Sequence, residues 1–273
     1  MLSRCRRVFS SSLIRNIGII AHIDAGKTTT TERLIHKTGL TRRAGSIDSG
    51  DTVMDYLPEE RERGITIASA AITLPWRGFR LNVIDTPGHV DFTVEVERSL
   101  RVMDAAVVIL DASKGVQAQT MTVWRQARRH GLKTLVYINK MDKVGANLEK
   151  CLQDIRVKLE LEPILLNEPT KDNLEEFSGV KPCEMLGIQE KVAQYDDGFL
   201  EKYLSEEATS SCDVREALAR ITERGTEGIV CIVGSSAKDV GIEGILDGIV
   251  DYFPCPKEEE VTDNTIFKAL AFK

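Results

Sequence analysis

The chain has 273 residues, of which 42% are hydrophobic and 29% charged. Those are the values of a folded globular protein, and they exclude a collagen-like or a disordered chain. No apolar run reaches the length of a bilayer-crossing helix, and a net charge of −6 gives no global electrostatic reason to bind nucleic acid, so any such contact must come from a local patch or another domain.

Residues 1–15 differ in kind from the rest of the chain. They carry Arg4, Arg6, Arg7 and Arg15 with four serines, and the first acidic residue of the chain is Asp24. On a helical wheel Leu2, Cys5, Phe9 and Leu13 share one face, which is the Arg-rich, acid-poor amphipathic pattern of an organelle import peptide. From Asn16 onward apolar runs alternate with helical periodicity, so the expected fold is α/β with a mostly parallel sheet. A buried strand is expected over 17–23 and a helix over 28–37, stopped by Gly39. Residues 71–76 and 79–84 flank Arg77-Gly78 and predict an antiparallel hairpin. Further strands are expected at 105–110, 134–138 and 229–233. Phe92, Val96, Leu100 and Met103 give one intervening helix its apolar stripe, and Leu148, Cys151, Leu152, Ile155 and Leu159 give another. Between about 161 and 227 the pattern becomes less regular and acidic, and Phe199, Leu200, Tyr203, Leu204 with Val214, Leu218, Ile221 at helical spacing predict a short helical insertion within one domain covering 16–255. Pro254, Pro256 and the charged run 257–260 read as a linker, and 265–273 as the first strand of a following β domain. The six cysteines, Cys5, Cys151, Cys183, Cys212, Cys231 and Cys255, have no close pair; the spacing fits buried free thiols better than a metal site or a disulfide framework.

The residues that carry chemistry fall at strand ends. Ala21-His22-Ile23-Asp24-Ala25-Gly26-Lys27-Thr28 follows a strand and opens a helix, the pattern of a P-loop with Ala at its first glycine position. Backbone N–H groups there cradle phosphate oxygens, Lys27 neutralises the β- and γ-phosphates, and the Thr28 hydroxyl suits Mg²⁺. Asp85-Thr86-Pro87-Gly88-His89 ends the second hairpin strand, where Asp85 reaches Mg²⁺ through water and Gly88 offers its N–H to the γ-phosphate. Thr66, in Arg63-Gly64-Ile65-Thr66-Ile67, is the candidate to complete the metal shell from a loop that orders around that phosphate. Asn139-Lys140-Met141-Asp142 ends another strand; the Asp142 carboxylate accepts from N1–H and the exocyclic amine of guanine while the Lys140 stem covers the base, selecting GTP and GDP over adenine nucleotides. Gly234-Ser235-Ser236-Ala237 brings a backbone N–H to the guanine carbonyl. His89, next to the γ-phosphate glycine, is the expected catalytic residue, orienting the attacking water rather than abstracting its proton. Asp24 could hold a monovalent cation or equally cap its own loop.

With these motifs in place the chain resembles the elongation factor G family over nearly its whole length after Asn16. Residues 16–32, 60–70, 83–101, 139–143 and 234–237 look like the family's five guanine-nucleotide motifs, and Gly234-Ser235-Ser236 departs from the family's usual Gly-Ser-Ala. Within the family, Gly50-Asp51-Thr52-Val53 with Glu60-Arg61-Glu62-Arg63, and Asp111-Ala112-Ser113 before Gly115-Val116, look most like the mitochondrial branch that splits ribosomes after termination. The resemblance implies a monomeric GTPase of the mitochondrial matrix that meets ribosomal RNA only through the mitochondrial ribosome, works with the ribosome recycling factor, and has no membrane partner. The translocase of elongation and a non-catalytic nucleotide-binding module stay open beside it. The insertion is shorter than the family's usual one, and the resemblance stops at the opening strand of the family's second domain.

Overall fold

A computed structural model of the chain describes residues 11–41, 45, 52–53, 70–86, 93–172, 176–205 and 209–256. The long apolar runs become strands buried on both faces: β1 (Ile14–Ala21), β4 (Ala105–Asp111), β5 (Lys133–Asn139) and β9 (Gly228–Val233). With β2 (Ala70–Trp76), β3 (Phe79–Asp85) and β6 (Glu162–Leu165) they form a seven-stranded sheet in the order β2-β3-β1-β4-β5-β9-β6. Among these described strands only β2 runs antiparallel to its neighbour; β1 pairs in parallel with β3 on one side and β4 on the other. Such a sheet must be covered on both faces, and the alternation of side chains decides which residues serve which layer. Ile17, Ile19, Val107, Ile109, Leu135, Tyr137, Val230 and Ile232 join one core with Leu34, Ile35, Ile245 and Ile249. Their sequence neighbours Ile20, Val108, Leu110, Val136, Ile138 and Cys231 join the other, with Leu100, Trp124, Cys151 and Ile155.

The first layer is built by α1 (Lys27–Lys37), α5 (Met185–Tyr195), α6 (Asp197–Leu204), α7 (Ser211–Arg224) and α8 (Ile242–Tyr252). The second is built by α2 (Thr93–Leu100), α3 (Ala118–Arg129) and α4 (Leu148–Asp154), the last continuing as a π-helical turn over Ile155–Leu159. The expected hairpin is present, and Arg77 and Gly78 both take positive φ, 47° and 83°, the backbone of a type I′ turn that matches strand twist. Trp76 Nε1 donates to Asp247 Oδ1 at 2.9 Å, and Arg77 pairs with Asp247 and Asp251, fastening this sheet edge to α8.

Two boundaries differ from expectation. Ile14 and Arg15, assigned from sequence to the leader, open β1; Arg15 packs its guanidinium over Phe79 and donates to Val250 O, so it belongs to the fold. The excursion after residue 161 is not purely helical. Glu162–Leu165 pairs in parallel with β9 as the sheet's outer strand, and the acidic stretch after it is a two-stranded ribbon of β7 (Asn167–Lys171) and β8 (Phe177–Pro182). Four residues are too few to show a period, and the ribbon's side chains are largely half-exposed, so neither signalled its strands. Three helices do follow as expected, with Phe199, Val214, Leu218 and Ile221 buried. Asp196 caps α6 by accepting from Phe199 N and pairs with Arg220 of α7, whose ion pair and the capping bonds outweigh burial and lower the Asp196 carboxyl pKa. Cysteine burial is mixed: Cys151 and Cys231 are buried, Cys212 and Cys255 exposed. No described helix is long and apolar enough to cross a membrane. The expected strand over 265–273 lies outside the described residues.

Candidate nucleotide site

Every described candidate residue lies where strands β1, β3, β5 and β9 end at their carboxyl edge, the rim where ligands bind in open α/β sheets. β1 runs out at Ala21, and the loop to α1 turns through two left-handed residues, Asp24 at φ 62° and Gly26 at φ 90°. Gly26 is required twice over. Its positive φ suits glycine, and an added Cβ would collide with Asn139 Nδ2. α1 therefore starts at Lys27 with its first-turn N–H groups unspent on the helix. Ala25 is fully buried, Ile23 N donates to Gln119 Oε1 at 3.3 Å, and Thr28 is 7% exposed.

Lys27 Nζ and Asp85 Oδ1 meet at 2.7 Å, with the lysine 9% and the aspartate 0% exposed. The pairing joins the two groups assigned from sequence to phosphate and metal. A buried pair of this kind satisfies both charges while leaving each within reach of a polyanion and its cation. Thr86 serves another purpose: its hydroxyl donates to Ile19 O at 2.9 Å and locks the end of β3 to β1. Thr66 and Pro87, Gly88 and His89 lie outside the described residues.

On the guanine side, Asn139 is 1% exposed. Its Nδ2 donates to Ala25 O at 2.9 Å and its Oδ1 accepts from Ser236 N at 2.9 Å. The side chain thus brackets the phosphate loop and the loop after β9. Lys140, at φ 64°, reaches back to Asp24 O and pairs with Asp111 Oδ2 at 3.1 Å. Met141 N donates to Gly234 O, tying the two base loops. Asp142 keeps Oδ1 buried with no partner among the described residues, an orphaned acceptor of the type a guanine edge satisfies. Ser235 exchanges backbone bonds with Val240, and Ser236 Oγ lies 2.7 Å from Thr30 Oγ1. Arg33 donates to Ser236 O and Ala237 O, holding this loop over α1.

Sequence reasoning missed Asp111, which it used only as a branch marker. The residue is fully buried at the end of β4. Burial pushes its carboxyl up, but hydrogen bonds from the Ser113 hydroxyl and N–H and from Lys140 outweigh that and bring its pKa down to about 2. It is the anchor for Lys140 and lies opposite Asn139 in the β4–β5 register, a placement that no local sequence pattern announces. His22 is 4% exposed with neither ring nitrogen partnered among the described residues; burial first, then Lys114 and Lys140, lower its pKa against the opposing pull of Asp111 and Asp24.

A left-handed loop opening a helix, an orphaned buried acceptor and a lysine–aspartate pair agree with the comparison to known families, where residues 12–255 match the elongation factor Tu GTP-binding domain. The chain belongs to that family. As a member of the elongation factor Tu GTP-binding domain family it is a GTPase domain of the translation-factor type. It is 44% identical to the mitochondrial ribosome-releasing factor 2 of Danio rerio, across 96% of this chain and 40% of that protein. The proteins of the same name from Bos taurus and Drosophila willistoni are 42% and 41% identical, across 95% and 100% of this chain and 39% and 42% of theirs. The chain therefore spans about two fifths of the length of the curated relatives it matches. A crystal structure of a Thermus thermophilus protein superposes with a TM-score of 0.81 at 28% identity, covering 89% of this chain and 41% of that one.

Proposed function

We propose that this domain binds and hydrolyses GTP in the mitochondrial matrix, and that the protein uses the cycle to disassemble ribosomes after termination, with the ribosome recycling factor as co-partner. The observation that carries this reading is the 41–44% identity, over 95–100% of this chain, to proteins named mitochondrial ribosome-releasing factor 2. In this reading guanine docks on Asp142 between the Lys140 stem and the loop of Ser235, Ser236 and Ala237. The phosphates lie along residues 21–28. Lys27 exchanges its bond to Asp85 for phosphate oxygens, which frees the Asp85 carboxylate to hold a metal-bound water. Mg²⁺ would be held by Thr28 and Thr66 and, through water, by Asp85, and would supply neutralisation of the phosphate charge. His89 orients the attacking water, and residues 1–13 act as the import segment up to the start of β1.

The test restores to the chain the further domains that its longer relatives have and compares two reactions side by side: subunit splitting of post-termination mitochondrial ribosomes with recycling factor present, and polypeptide elongation. Splitting without elongation supports the reading. Elongation without splitting would assign the protein to translocation, and GTP binding with no ribosome-stimulated hydrolysis would make it a binding module. In the same restored protein His89→Ala should leave GTP affinity near parental while stimulated single-turnover hydrolysis falls roughly 10²-fold or more.

A further inference from the structure

We infer that the outer face of α3, together with the π turn after α4, is a docking site for the phosphate backbone of RNA; the inference rests on the ribosomal partner proposed above. Arg125, Arg128 and Arg129 line a cavity of about 400 Å³ with Lys158, and Glu160 is the one carboxylate among the described residues of its wall. In a chain of net charge −6 this is a local reversal of sign. The spacing i, i+3, i+4 puts the three guanidinium groups on one stripe of α3, across about 6 Å of helix axis. Arg125 and Arg129 are exposed, and among the described residues neither has an ion pair or a hydrogen bond. Arg128 is held ready: it stacks over Trp124 at 5.9 Å and donates one bond to Gly225 O at 2.7 Å, leaving other N–H donors of its fork to the cavity. Lys158 is partly spent, on Asp154 at 3.0 Å and Val116 O at 2.8 Å, so the three arginines carry the charge.

The lining also argues against a protein partner. Protein interfaces are anchored by apolar or aromatic side chains in desolvated pockets. Here Trp124 and Leu159 are 4% and 5% exposed, so the one aromatic among the described residues of the wall is not offered as an anchor, and half-buried Met121 with exposed Val157 on the π turn is the apolar surface that lies beside the arginines. What remains is a set of forked, paired donors, the arrangement that fits phosphate oxygens and depends on counterion release for its affinity.

The experiment measures fluorescence anisotropy of a labelled oligouridylate against this chain over a range of salt. Three neutralised phosphates on a single strand predict a slope of log K against log salt of about −2, and Arg125→Ala with Arg129→Ala should reduce it to about −0.7. Lys171→Ala with Lys181→Ala on the β7–β8 ribbon should leave the slope unchanged, and both double variants should keep parental GTP affinity and thermal midpoint. No binding by the parent at low salt overturns the inference. So does an arginine variant that binds like the parent, equal loss in the lysine control, or polyglutamate binding as tightly as RNA. The binding must also persist when those further domains are restored; its loss there would mean that the protein covers this face itself. None of these readouts uses ribosome splitting, so a failed recycling assignment and a failed RNA face are told apart.

Discussion

Asp111→Asn is a nearly isosteric change that tests the anchoring of Lys140. Asp111 Oδ1 accepts from Ser113 N at 2.9 Å and Ser113 Oγ at 2.6 Å, so in the variant the amide oxygen stays on that side. The amide NH₂ then takes the place of Oδ2, which lies 3.1 Å from Lys140 Nζ, and a donor faces a donor. Breaking a fully buried pair from one side costs about 3–5 kcal/mol. The lysine side chain is 25% exposed and keeps its bond to Asp24 O, so solvent screening brings the expected loss to about 1–3 kcal/mol. In the proposed site Lys140 covers guanine, so the loss should appear as a rise of about 5- to 150-fold in GDP dissociation, read by stopped-flow chase of a fluorescent GDP. Adding Lys140→Met to the Asp111→Asn variant should change little further, because the two residues act as one unit. A folded Asp111→Asn protein whose GDP dissociation stays within twofold of the parent would refute the reasoning.

Asp142→Asn replaces the orphaned acceptor with an amide. Two hydrogen bonds to a charged group are worth about 3 kcal/mol or more, so GTP affinity in a filter-binding titration should fall about 10²-fold or more while xanthosine triphosphate binding appears. Gly26→Ala forces a Cβ onto Asn139 at a positive φ; it should abolish detectable GTP binding at a stability loss of about 1–3 kcal/mol in urea titrations. His22 has a folded pKa below its ordinary 6.5, so between those two values the unfolded chain binds more protons. Its contribution is complete above pH about 6.5 and is lost as pH falls below it, with a slope of at most about 1.4 kcal/mol per pH unit. His22→Gln should remove that part of the pH dependence of the unfolding free energy between pH 7.5 and 5, and identical profiles for both proteins would contradict a buried neutral imidazole.

The strands β1, β4, β5 and β9 and the β2–β3 turn were legible because each has a strong local cause: a continuous apolar run bounded by turn residues, or a two-residue turn between apolar runs with glycine at a position of positive φ. The P-loop and the Asn139 to Asp142 segment were legible because their chemistry fixes residue types at fixed spacing. What could not be read depends on partners distant in sequence. Glu162–Leu165 becomes a strand only because β9 presents an edge to it. Arg15 is claimed by the fold through Phe79 and Val250. Asp111 acquires its role through a lysine that follows the next strand, and Asn139, expected in the nucleotide-binding motif, also holds the loops on either side of it together. Such roles arise from register, and a single sequence does not display register.

The bracket made by Asn139 has a consequence for synthesis. It joins Ala25, near the start of the domain, to Ser236, near its end, and β9, which leads into the latter, inserts between β5 and β6 only after the whole intervening excursion has been made. While the chain leaves a ribosome, the phosphate loop is therefore exposed long before it has a second wall. Domains emerge at roughly 5–20 residues per second, so a span of this length leaves a delay of about ten to forty seconds during which nucleotide has nothing to close upon. Nucleotide can act as a folding ligand only once Ser236 is in place, so its capture would mark completion of the domain.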